Sequence, residues 1–113
     1  HPVFATSFTA MKRTINTVLT AEACAILGDP LFVPYALMGS ADLAAIVTDS
    51  IIRSEILLLE NHGVLAAGEN LLQAFDRIEV LENAARMTVI VKLMGNRREL
   101  SSSRISEIKR LFR

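Results

Sequence analysis

The stretch Leu57-Leu58-Leu59-Glu60-Asn61-His62-Gly63-Val64-Leu65-Ala66-Ala67-Gly68 decides how this chain folds. It reads as an apolar strand that delivers a histidine, turns at a glycine and resumes as a second strand. A continuous apolar run from Ile56 to Leu59 is the pattern of a strand covered on both faces, and Val64 to Ala67 pairs with it or continues the sheet. His62 then sits at the edge of a buried sheet. An imidazole held there by rigid apolar neighbours is well placed for proton transfer or metal ligation near neutral pH. The other histidine of the chain is His1, so any imidazole chemistry draws on one or both.

Outward from this hairpin, the periodicity predicts helices on either side. Ser40 is a good N-cap for a helix from Ala41 to Arg53, with Leu43, Ile46, Val47 and Ile51 as its apolar stripe. Asn70 caps a longer helix running to about Met94, and Gln73 can reach back in a variant of the capping box. Its apolar face steps through Leu71, Phe75, Ile78, Leu81, Ala85, Val89 and Leu93, while Glu82 and Arg86 form an outward i,i+4 pair. Gly95-Asn96 ends it. Ser101-Ser102-Ser103 opens a last helix with Ile105, Ile108 and Leu111 facing inward. Toward the N-terminus, Pro2 suits a first helical turn, and Phe4, Ala5, Phe8 and Met11 are spaced for a helix over Val3 to Lys12. Thr17 to Thr20 has β-branched strand character, an Ala-rich turn of chain ends at Gly28-Asp29-Pro30, and Phe32 to Tyr35 is extended, since Pro34 restricts the residue before it. This order of elements predicts a layered α/β or α+β domain.

The 113 residues fit one domain with one core. Hydrophobic residues make up 51% and charged residues 21%, with 12 basic against 12 acidic side chains. That composition excludes a disordered tail and leaves no electrostatic footprint for nucleic acid. No run approaches the roughly 18 uncharged apolar residues that span a bilayer, and the N-terminus lacks the order of a signal peptide. A soluble, cytoplasmic protein is the expectation. The one cysteine, Cys24, lies in an apolar run and reads as a buried thiol in a reducing compartment. A start at His1-Pro2 without methionine points to a polypeptide that extends upstream.

These residues resemble the class II aldolase/adducin family. His1-Pro2 followed by Phe4-Ala5-Thr6 is similar to the family's His-x-His-Pro-x-x-Ala-Thr segment with its first histidine cut off. Val33-Pro34-Tyr35, Gly39-Ser40 and Leu43-Ala44 resemble further family positions. The most specific part is Asn61-His62-Gly63-Val64 with Gly68, Ala74-Phe75, Glu79, Leu81-Glu82 and Ala85-Arg86.

The resemblance implies a three-layer α/β/α fold whose N-terminal part is missing from this chain, residues 1–113 being the C-terminal part of a single domain. It assigns His1 and His62 to a divalent metal site, usually zinc. Imidazole ligands at about 2.0–2.1 Å leave open positions on zinc where a substrate carbonyl and hydroxyl are polarised. The implied function is a metal-dependent lyase of carbohydrate metabolism that cleaves a ketose phosphate by a reversible retro-aldol step through a metal-stabilised enediolate. Alternatives are a related sugar-phosphate epimerase or decarboxylase, or a non-catalytic adducin-like interaction module. A homotetramer with sites at subunit interfaces also follows from the resemblance. The first histidine of the pair, the acid/base residue and the phosphate-binding loops lie upstream in the family, so the catalytic residues are not identified in this chain.

Residue physics alone gives plainer readings. His62 taken by itself reads as a packed histidine bonded to backbone, and His1 as a terminal residue. Tyr35 reads as a loop anchor with a buried ring. Glu60 reads as a sheet-edge carboxylate rather than an orienting partner of His62, because neighbours on a strand point to opposite faces.

Overall fold

A computed structural model describes the whole chain, His1 to Arg113. Three short strands form its sheet: β1 (Leu31–Val33), β2 (Ile56–Leu59) and β3 (Gly63–Ala66). β2 lies in the middle, parallel to β1 and antiparallel to β3. The registers set Leu31 opposite Leu57 on one side and Leu59 opposite Gly63 on the other.

The all-apolar sequence of β2 follows from its place. All four residues are buried, and the strand period sends alternate side chains to opposite faces. Ile56 and Leu58 join Ala5, Phe8, Leu81 and Ala85 in the larger core. Leu57 and Leu59 join Val33 in a second, smaller core lined by Ile46, Val47 and Ile51. The first face is covered by α1 (Val3–Phe8) and α4 (Leu71–Met94), the second by α3 (Ala41–Ile51). α2 (Ala21–Leu27) packs on α4, and α5 (Ser102–Phe112) on α2. The result is the α/β/α layering expected from the resemblance.

Local chemistry places the helix ends. Thr20, Ser40, Asn70 and Ser101 each accept the backbone N–H three residues on, at the start of α2, α3, α4 and α5. Gln73 does reach back, but one residue further than in a capping box: its Oε1 accepts the Glu69 N–H at 2.6 Å. This brings the side chain over Gly68, where a Cβ would lie 2.9 Å from both the Ala74 nitrogen and Gln73 Oε1. Cys24 is buried and unpaired, and no helix is long and apolar enough to cross a membrane.

Several expectations are corrected. Thr17 to Thr20 forms no strand, because its backbone groups are satisfied outside any ladder. The Val18 N–H donates to the Asn16 side chain, the Val18 carbonyl accepts from Leu100, and Thr20 caps α2. The Ala-rich run is helical, and α1 stops at Phe8 rather than Lys12. On α4, Leu71, Phe75 and Leu93 are exposed, and the fully buried residues are confined to the middle of the helix, from Val80 to Ala85. Leu111 is exposed as well.

Candidate metal centre

β1 and β2 are parallel, so their carboxyl ends open on the same side of the sheet, the usual place for a site in an α/β fold. The β2–β3 turn leaves the sheet there with Glu60, Asn61 and His62. Asn61 takes a positive φ of 55°, a conformation that asparagine tolerates better than most side chains. The His62 N–H closes the turn on the Leu59 carbonyl at 3.0 Å. The turn is also tied to α1, because the Asn61 N–H donates to the Thr9 carbonyl at 3.0 Å.

His1 is brought to this turn by α1, which packs against α4 and β3. The two imidazoles have ring centroids 5.5 Å apart with planes inclined by 31°. Two imidazoles sharing one tetrahedral zinc, with Zn–N distances of about 2.0–2.1 Å, place their centroids about 5 Å apart. The observed 5.5 Å is close to that separation. His62 is half-buried and His1 exposed, which leaves the space beside them reachable by a ligand. No group of three His, Cys, Asp or Glu side chains converges anywhere in the chain.

Gly63 shows why these residues stand together. Its φ lies outside the left-handed region, and it pairs with Leu59 as the first residue of β3. The turn expected at this glycine is made by Asn61, its left-handed residue. Gly63 serves close approach instead: a Cβ there would stand 3.0 Å from His1 Cδ2 and 3.4 Å from His1 Nε2. In Asn61-His62-Gly63, asparagine makes the turn and glycine leaves room for the ring of His1 beside His62.

Neighbouring residues take other roles. The Glu60 carboxylate accepts the Tyr35 N–H at 2.9 Å, fastening the exit of β1 as a sheet-edge carboxylate. Tyr35 itself is 57% exposed, so its ring is not the buried anchor expected. Glu82 was read as part of an outward charged pair, yet its carboxylate accepts the N–H groups of Phe4 at 2.9 Å and Ala5 at 2.7 Å. Arg86 lies over the Phe4 ring, 5.2 Å from its centroid. The sequence shows only that α1 needs a distant acceptor, not that Glu82 supplies it. With Pro2 at the N-cap and no acidic residue in the first turn, α1 has no local acceptor for its leading amides.

Two concavities of the chain leave out the histidine pair. One of 830 Å³ runs between Met11, Ile15, Val18, Val89 and Lys92, and one of 440 Å³ between Phe8, Arg13, Asp29 and Phe32. Neither histidine lines either of them.

Fold and site together define an α/β/α protein with a histidine pair at the carboxyl ends of parallel strands. The Class II Aldolase and Adducin N-terminal domain matches residues 1–89, and the chain belongs to the class II aldolase/adducin family. An L-fuculose phosphate aldolase of Methanococcus maripaludis (strain C5) is 33% identical over 95 residues, covering 84% of this chain and 51% of that protein. Among solved structures, an L-fuculose 1-phosphate aldolase superposes with a TM-score of 0.83 at 26% identity, over 99% of this chain and 52% of its own. YgbL from Escherichia coli gives 0.85 at 24% identity, over 96% and 54%. The chain spans about half the length of the curated relatives it matches.

Proposed function

We propose that this chain carries the metal-holding part of a divalent-metal-dependent sugar-phosphate aldolase, with His1 and His62 as two ligands of a zinc or similar ion. The reaction is the reversible retro-aldol cleavage of a ketose phosphate. The observation that supports this best is the pairing of the two imidazoles at a 5.5 Å centroid separation over a glycine. The L-fuculose phosphate aldolase relative supports the substrate class.

When bound, a divalent ion supplies Lewis-acid polarisation of a carbonyl and stabilises the negative charge left by carbon–carbon cleavage. The protein's part is to hold two neutral imidazoles in fixed positions. The closed β2–β3 turn holds His62, and α1, docked on α4 and β3, carries His1 to a ring position over Gly63. A third donor, the acid/base residue and the phosphate contacts come from outside these 113 residues, which form the C-terminal part of one domain. Assembly as a homotetramer in the cytoplasm belongs to the same reading.

Elemental analysis of the full-length polypeptide tests it, with His62→Ala alongside. About one zinc per subunit, lost in the variant, together with cleavage of ketose phosphates is the expected result. Metal binding without aldol cleavage moves the reading to an epimerase or decarboxylase. No metal, and no uptake on zinc addition, leaves an adducin-like interaction module.

A further inference from the structure

We propose that Glu82 is a positioning residue for His1, setting its imidazole for metal through the first turn of α1. The inference rests on the reading of His1 and His62 as ligands. α1 has six residues, and Pro2 at its N-cap offers no side-chain acceptor. Its leading amides, on Phe4 and Ala5, are both taken by the Glu82 carboxylate from 77 and 78 residues away in sequence. A carboxylate on these amides is favoured twice, as a charged acceptor and as a negative group at the positive end of a helix.

The anchor is rigid, because Glu82 stands beside Leu81, which is fully buried, and one turn from Ala85, buried equally. Arg86, one turn on, covers the ring of Phe4. α4 therefore grips Phe4 twice, by its amide and by its ring, three residues after His1.

The far end of α1 is secured without Glu82. Ala5 and Phe8 are buried in the core, and the Thr9 carbonyl is held by the Asn61 N–H. Removing the carboxylate thus leaves α1 docked and frees the turn that leads into His1. Partners bonded directly to a ligand side chain are worth about 10–100-fold in metal affinity, and Glu82, which acts through the backbone of α1, falls at the low end of that range.

The test is Co²⁺ binding to the full-length polypeptide, followed by the visible absorption of the bound ion, in Glu82→Gln and Glu82→Ala. Glu82→Gln keeps the volume but turns an N–H toward a backbone N–H, so the variant stays folded and loses one acceptor. Expected are about 10-fold weaker Co²⁺ binding in Glu82→Gln, a larger loss in Glu82→Ala, and an altered spectrum in both. Val47→Ala, on α3 against the opposite core, is the matched control: it lowers the melting temperature and leaves Co²⁺ affinity and spectrum unchanged. Glu82 variants that melt lower but bind Co²⁺ with unaltered affinity and spectrum would make Glu82 a helix cap and nothing more, overturning the inference while the ligand assignment stands. Unaltered Co²⁺ binding in His62→Ala would instead overturn the ligand assignment, and this inference with it.

Discussion

Replacing Gly63 by alanine separates the fold from the site. The added Cβ would sit 3.0 Å from His1 Cδ2, 3.4 Å from Nε2 and 3.8 Å from Cγ. Contacts at 3.0–3.4 Å are tighter than carbon atoms normally keep, so the ring must withdraw by a few tenths of an ångström. Metal–ligand distances tolerate about 0.2 Å, so on the proposed reading of His1 as a ligand that displacement weakens its hold on the ion. The backbone at Gly63 is free of left-handed strain, and alanine there lowers the entropy of the unfolded chain by an amount worth about 0.4–1 kcal/mol. His1 is exposed and can yield without disturbing the core. Gly63→Ala is therefore expected to keep its metal-free urea stability within about 1 kcal/mol of the parent while binding zinc about 10–100-fold more weakly. Chelator competition for zinc and urea unfolding of the metal-free protein measure the two quantities. Zinc affinity equal to that of the parent would refute the seating of His1 on Gly63.

Asn61 gives a second test of the motif, read by urea unfolding: at a φ of 55°, Asn61→Gly is expected to be nearly neutral and Asn61→Val to cost about 1–2 kcal/mol. Arg77 bonds the Ala67 carbonyl and pairs with Glu55 at 2.8 Å, with its own side chain 13% exposed against 51% for Glu55. Arg77→Ala is accordingly expected to cost about 1–3 kcal/mol, because a partly buried carbonyl loses its charged donor. Glu55→Ala, which removes a mostly exposed partner, is expected to cost about 1 kcal/mol or less, and equal losses in the two variants would refute the division of labour.

Most of the architecture was legible because it is written in local patterns. A four-residue apolar run cannot be solvated on either face, so Ile56 to Leu59 had to lie at the centre of the sheet with helices above and below. Ser40, Asn70 and Ser101 mark helix starts because a short side-chain oxygen satisfies amides three residues on, a relation contained within one turn of sequence. The failures have a common cause. Thr17 to Thr20 has the composition of a strand, but a strand exists only with a partner, and these backbone groups are met by Asn16 and Leu100 instead. Leu71, Phe75 and Leu93 keep the period of an apolar face, but the period does not say how far the layer beneath extends.

The site divides in the same way. Sequence by itself determined that His62 stands at the end of a buried strand and, through the motif around it and His1-Pro2, which family the chain resembles. Tertiary structure alone decided that His1 and His62 lie 5.5 Å apart, that Gly63 is a floor rather than a turn, and that Glu82 reaches α1 instead of solvent. Each of these joins residues about sixty to eighty positions apart. Local propensity acts within a few residues, so only the docking of α1 between α4 and β3, driven by burial of Ala5 and Phe8, brings them together.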